Sequence, residues 1–282
     1  MTSVSGSGER ILAILDLFTE ARPEWTPEDM MAELGYSRPT LYRYLKTLKD
    51  SGYLASLPQA GFTLGPRVTE LDFLMTRADP MIRAGQPELE ALAARFPGSA
   101  FLVRWYGRKL LCVASVVSSD TPKSSYPRGR PMPLGRGAAS RAIVAFLPAR
   151  ERRKLVSEYL AQFAGAGVGT TVVDVMDALR AVRRNGIAAA RGEVTPGVVA
   201  VAGPVLAGEQ SPHGALCLTS DAADVTNDAR LAEIGAAVRD ASRRVSAALG
   251  GWDETALSPR TANDIHADRV TAPRMPEHGG TR

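Results

Sequence analysis

Residues 35–54, GYSRPTLYRYLKTLKDSGYL, hold two arginines, two lysines and four tyrosines within twenty positions, threaded through a regular set of leucines. Leu41, Tyr44, Leu45 and Leu48 recur at helical spacing, so a helix running from Ser37 towards Gly52 has one apolar face. Ser37 stands at the N-cap position, and Pro39 falls in the first turn, where its missing N–H costs little. The remaining face carries Arg38, Thr40, Tyr42, Arg43, Lys46 and Thr47.

The flanking sequence gives that face its meaning. Upstream, residues 9–19 (ERILAILDLFT) place Ile11, Ile14, Leu15 and Phe18 on one helical face. In TPEDMMAEL, Thr26 caps a second helix, Pro27 occupies its first position, and Gly35 ends it. Downstream, YLASLP and FTLG alternate around Pro58-Gln59-Ala60-Gly61, which predicts a hairpin. Helix, helix, short glycine turn, helix and hairpin is a winged helix-turn-helix over residues 1–66. A B-DNA major groove admits one α-helix, and arginine can bond guanine O6 and N7 with two donors at once. Arg38 and Arg43 therefore read as base contacts, and Tyr42 and Thr47 share the DNA-binding face. Ser37 and Thr40 can bond phosphate, and Lys46 suits a salt-dependent phosphate contact. Gln59, at the wing tip, is placed to touch backbone or minor groove. The competing reading is a merely solvated basic face.

Charge is local rather than global. The net charge is only +4, residues 1–36 carry two bases against seven acids, and residues 37–49 carry four bases and no acid. That distribution excludes a uniformly basic DNA coat and leaves a positive zone on one helix. A second zone spans residues 95–153, with twelve bases against two acids. No apolar run approaches the roughly 20 residues a membrane helix needs, and the first ten residues lack a signal peptide's apolar stretch, so a cytoplasmic protein is expected. Cys112 and Cys217 sit in apolar surroundings and read as buried thiols rather than a disulfide or metal site; no metal and no cofactor is expected.

Residues 67–96 are helical in pattern but interrupted by Pro80 and Pro87, as in a linker. AFLVRWY and LLCVASVV form a long hairpin across Gly107-Arg108-Lys109. Helices are expected near 137–146, over 149–160 (ARERRKLVSEYL) and over 174–184, then three strands, IAAA, VVAVAGPVL and GALCLT, and a last helix at 228–249. The chain is thus α+β, with a mixed α/β second domain at 97–250 around a largely antiparallel sheet. Residues 251–282 have no apolar period and read as a disordered tail.

At this point the chain resembles the IclR-type transcriptional regulators. The resemblance lies in SGSGERILAILDLF and YSRPTLYRYLKTLKDSGYL, then in MPLGRGAASRAIVAFLP (132–148) and NGIAAARGEVTPGVVAVAGPVL (185–206), and it covers about residues 6–249. It implies homodimers or tetramers built around the winged helices, and a GAF-like C-terminal domain that binds a small effector, often an organic or aromatic carboxylate. Carried over by position, the family's pocket residues follow Leu134 and are Ala138, Ala139, Ala190, Val198, Ala200, Cys217 and Thr219. Ala190 stands where many members have an acid, Ala200 where many have Cys, and Ser140 where a glycine is usual. A more apolar pocket is expected.

The residues add their own reading of that second domain. Gly135, Gly137, Ala138 and Ala139 open a helix whose free N–H groups favour an anion, and Arg128, Arg130 and Arg136 flank the spot with forks that suit a carboxylate. Ordinary loop charge is the alternative. Glu193 either contacts a ligand or caps backbone N–H groups near Pro196-Gly197. The expected partners are a near-palindromic double-stranded DNA operator, read by two copies in successive major grooves, and an organic-acid effector. Two rivals stand: an architectural DNA binder with no effector, and a small-molecule hydrolase using Cys217 with His213 as base. Repression against activation, dimer against tetramer, and the operator itself stay open.

Overall fold

A computed structural model describes residues 6–58, 61–118, 126–208 and 211–251, in two compact units that divide between Asp79 and Pro80. In the first unit, α1 (Ser7–Leu15), α2 (Pro27–Leu34) and α3 (Arg38–Asp50) precede a hairpin of β1 (Leu54–Ser56) and β2 (Phe62–Leu64), and α4 (Pro66–Ala78) follows. The stops and starts are local chemistry. Thr26 Oγ1 accepts from the Asp29 N–H at 3.2 Å, and Gly35 ends α2 in the left-handed region at φ 67°, where a side chain would be strained. Ile14, Met30, Leu41, Leu45, Leu48 and Leu54 close a small core with Trp25 and Tyr44.

Two details depart from expectation. The first helix stops at Leu15, not Thr19, because Leu17 turns back to accept the Trp25 indole N–H at 3.0 Å. Trp25 also exchanges backbone bonds with Phe62 at 3.0 and 2.8 Å, so the wing gains a bridge to the segment before α2. Ser37 occupies the N-cap of α3, yet no side-chain cap bond forms; its hydroxyl donates to Thr40 Oγ1 at 2.9 Å.

The second unit contains α5 (Pro80–Arg95), β3 (Ser99–Trp105), β4 (Leu110–Val117), β5 (Pro131–Met132), α6 (Ala138–Val144), α7 (Ala149–Glu158), α8 (Leu160–Gly165), α9 (Val172–Asn185), β6 (Ala188–Arg191), β7 (Val198–Ala207), β8 (Ser211–Asp221) and α10 (Asp228–Ala248). Its six strands lie in the order β5-β4-β3-β8-β7-β6 with every neighbouring pair antiparallel. Successive strand residues point to opposite faces. Leu102, Val199, Val201, Leu216 and Leu218 therefore join α5 and α10 in one core, while Phe101, Val103, Ala202, Ala215 and Cys217 join α6 to α9 in another. Both faces are covered, which is why these strands read as unbroken apolar runs.

The segment 67–96 is not one broken linker. α4 lies in the first unit, whereas α5 is packed into the second through Met81, Ile82, Leu89, Leu92 and Ala93. Pro87 sits inside α5 without ending it: the lost N–H is outweighed by burial of that apolar stripe. The helix expected over 149–160 breaks at Tyr159 into α7 and α8, and β8 runs longer than GALCLT. The tail beyond Gly251 lies outside the described residues, and among those described no helix is long and apolar enough to cross a membrane.

α10 packs close against β7 at Gly203, where a Cβ would stand 2.3 Å from Ser242 Oγ and 2.8 Å from Ser242 Cβ. Gly203→Ala should therefore lower unfolding stability by about 1–3 kcal/mol, read as a fall in the urea midpoint; an unchanged midpoint would show that helix and strand can part at no cost.

Candidate functional site

α3 sorts its side chains sharply. Leu41, Tyr44, Leu45 and Leu48 are at most 5% exposed, whereas Ser37, Arg38, Tyr42, Arg43, Lys46 and Thr47 face outwards and Thr40 is half-buried. Arg38 meets Glu28 of α2 at 3.3 Å with both side chains well exposed, a weak pair that water or another anion can replace. Its guanidinium also lies 5.5 Å from the Tyr42 ring centre. Arg43 rests over Tyr44 at 5.2 Å, and Thr47 donates to the Arg43 carbonyl at 3.1 Å. Lys46 and Lys49 have no ion-pair partner among the described residues. The result is an exposed helix face rich in donors, on an element of a size that fits a major groove. Gln59, at the wing tip, lies outside the described residues.

In the second unit a partly enclosed cavity of about 30 Å³ lies between the sheet and α6. That is space for a water molecule or two, not for a metabolite. Ala138, Ala139, Ala190, Val198, Ala200, Cys217 and Thr219 line it, with Glu193, and small side chains are what leave the space. The stacked rings of Phe101 and Tyr126, 4.4 Å apart, form another part of the wall. Thr219 Oγ1 donates to the Ser99 carbonyl, so its hydroxyl oxygen keeps acceptor capacity. Next to the cavity an open groove of about 680 Å³ runs past Arg108, Pro133, Leu134, Tyr159 and Gln162. Arg136 and Glu193 border both spaces.

Three placements differ from the sequence reading. Arg128 and Arg130 are absent from the cavity wall: Arg128 donates to the Val113 carbonyl and Arg130 lies 5.7 Å from the Tyr126 ring. Their loop is tied back onto β4, with Cys112 N–H to Arg130 O at 3.0 Å and Gly129 N–H to Cys112 O at 2.8 Å. Leu134 is buried, borders the groove rather than the cavity, and its carbonyl accepts from the Ser140 hydroxyl. Glu193 does not cap Pro196-Gly197. Its carboxylate accepts from the Gly137 N–H at 2.8 Å and from both Arg141 terminal nitrogens, at 2.7 and 2.8 Å. Arg141 was missed. A lone cation inside the apolar run AASRAIVAFL was its signal, since such a residue is buried only with a partner.

A family model described as the IclR helix-turn-helix domain matches residues 7–58, and one described as the bacterial transcriptional regulator IclR C-terminal domain matches residues 75–247. The chain belongs to the IclR family of transcriptional regulators. It is similar to the HTH-type transcriptional regulator XynR of Escherichia coli (strain K12), 30% identical over 247 residues that cover 86% of this chain and 97% of that protein. Among solved structures it is similar to an IclR transcriptional regulator from Alicyclobacillus acidocaldarius, with a TM-score of 0.73 at 23% identity over 86% of this chain and 97% of that one. An IclR homologue from Microbacterium hydrocarbonoxydans, in complex with 4-hydroxybenzoate, superposes with a TM-score of 0.74 at 18% identity, covering 87% of this chain and 99% of that one.

For an IclR-family chain, the helix-turn-helix domain implies DNA as a partner, and the proteins it resembles are regulators rather than enzymes. The cysteines fit that assignment. Burial pushes the Cys112 thiol up to about 11, against smaller opposing effects of a backbone hydrogen bond with Ala114 and of Arg128. Burial also raises Cys217 well above its ordinary value, with Cys112 adding to it. A raised thiol pKa leaves the group protonated, and therefore poorly nucleophilic, at neutral pH. His213 and Cys217 lie four residues apart along β8, about 13 Å at strand rise, beyond hydrogen-bond reach. Native protein should leave both thiols unreacted with a disulfide reagent at mildly alkaline pH, and both should react once guanidinium unfolds it; rapid native labelling of either would restore a nucleophile to the second unit.

Proposed function

We propose that this IclR-family regulator reads a near-palindromic operator with α3 of two copies, and that a small carboxylate-bearing effector in the second unit changes its operator affinity. The observation that carries the reading is the sorting of α3, with an apolar stripe inside and Arg38, Tyr42, Arg43, Lys46 and Thr47 outside. Arg38 and Arg43 approach base edges, and Ser37, Thr40 and Lys46 hold phosphates. A second copy has a surface to use, because α4 buries none of its residues and leaves Phe73, Leu74 and Met75 each more than half exposed. Such an apolar stretch favours association between copies.

The small-residue cavity supports the effector half of the reading, as does the homologue that carries 4-hydroxybenzoate. Arg136 stands exposed where cavity and groove meet and suits an incoming anion. An effector shifts operator affinity only by its differential affinity for the two states of the protein. A coupling of about 1–3 kcal/mol corresponds to some 5- to 150-fold in operator binding.

Operator DNA selected from a random library, followed by fluorescence anisotropy, tests both halves. Arg43→Ala should weaken specific binding by about 1–3 kcal/mol and relax preference at one base position. Lys46→Ala should weaken all sequences alike and flatten the salt dependence by about one phosphate contact per protomer. If both variants bind like wild type, α3 does not enter the groove. Among aromatic and aliphatic acids, 4-hydroxybenzoate included, at least one should change operator affinity; a response to neutral compounds alone would end the carboxylate half.

A further inference from the structure

We infer that the Arg141 guanidinium is a carboxylate receptor which the chain's own Glu193 fills, and that an acid effector binds by taking Glu193's place there. The inference deepens the effector reading above and rests on it.

Arg141 projects from α6 and is 6% exposed. It presents both terminal nitrogens to one carboxylate, at 2.7 and 2.8 Å, while the Gly137 N–H adds a third donor at 2.8 Å. Paired N–H donors from a planar guanidinium recognise a carboxylate as such, whichever molecule carries it. Arg141 also donates to the Ala189 carbonyl, so the guanidinium is held in position independently of Glu193. The receptor stays in place when its occupant changes.

Glu193 is placed to leave. It belongs to neither β6 nor β7 but to the segment between them, bounded by Gly192 at φ 66° and Gly197 at φ 74°. Glu193 borders both the small cavity and the open groove of about 680 Å³. A rotation into that groove returns the carboxylate to water and opens the place beside Arg141 towards the cavity. Val194 and Thr195 of the same segment also line the cavity, so the movement enlarges it.

Electrostatics then select the ligand. A buried guanidinium left without a counter-charge is strongly disfavoured, so Glu193 departs only as another anion arrives. Exchanging one carboxylate for another keeps the pair intact, whereas an amide or alcohol of the same shape leaves Arg141 uncompensated. The apolar body of the acid would lie against Ala138, Ala190, Val198 and Ala200. The ligand class is a small monocarboxylic acid with an apolar or aromatic body.

Thermal shift on full-length protein, without DNA, tests this with sodium acetate and benzoate against acetamide, benzamide and sodium chloride at matched ionic strength. Glu193→Ala should melt below wild type and be restored, saturably, by acetate and benzoate but not by the amides or chloride. Benzoate should bind Glu193→Ala at least about tenfold more tightly than wild type, where Glu193 competes for the receptor. Should Glu193→Ala fail to fold, Glu193→Gln keeps the size and one acceptor oxygen, and it too should bind benzoate more tightly than wild type. Adding Arg141→Met should abolish the benzoate response while removing both charges together. Equal benzoate affinity in wild type and the Glu193 variants, or a response that survives Arg141→Met, overturns the inference. Failure of the regulatory reading looks different. Carboxylates would then restore Glu193→Ala through Arg141 while no acid changed operator binding by wild type. An acid that shifts operator binding equally in wild type and Glu193→Gln would leave regulation standing and remove the receptor.

Discussion

A sheet covered on both faces dictates the second unit. Each strand divides its residues between two cores, so Leu102, Leu216 and Leu218 are committed to α5 and α10 while Phe101, Ala215 and Cys217 are committed to α6 and its neighbours. In the first core Gly203 brings β7 hard against Ser242. The second places Ala190 and Ala200, paired across β6 and β7, beneath Ala138 and Ala139 of α6. Alanines on both sides of one layer leave free volume that leucines would fill. The cavity follows from residue size at a layer boundary, and the segment between β6 and β7 supplies one of its walls.

Free volume beside a charged pair is the unusual part. Arg141 and Glu193 are nearly enclosed, and removing one partner of such a pair costs about 3–5 kcal/mol, because the survivor's charge is stranded. The pair fastens the β6–β7 segment to α6, and with it one wall of the cavity. Stability of the wall and chemistry of the cavity therefore depend on the same carboxylate.

The first unit solves a different problem with fewer residues. Its core is a handful of side chains, and α3 supplies half of them. Every apolar position of α3 is thus spent inwards, and its polar positions have little to bond within the unit beyond Glu28 and neighbouring side chains. Exposed arginine and lysine on a well-anchored helix cost little in the free protein, and in the proposed reading they meet phosphate and base edges without reorganisation.

The winged helix was legible in the sequence because its signals are local: leucine spacing in α3, Thr26 at a cap, Gly35 at a left-handed stop. The strands other than β5, with α9 and α10, were legible for the same reason, and the small-residue cavity lining through resemblance to the family. Tertiary structure alone decided that α5 is packed into the second unit in spite of Pro87, since an apolar stripe means nothing until its partner surface exists. It alone turned Arg128 and Arg130 away from the cavity and joined Arg141 to Glu193, fifty-two positions apart. Charge pairing across such a separation is set by which strands lie side by side, and no period or cap along the chain records that.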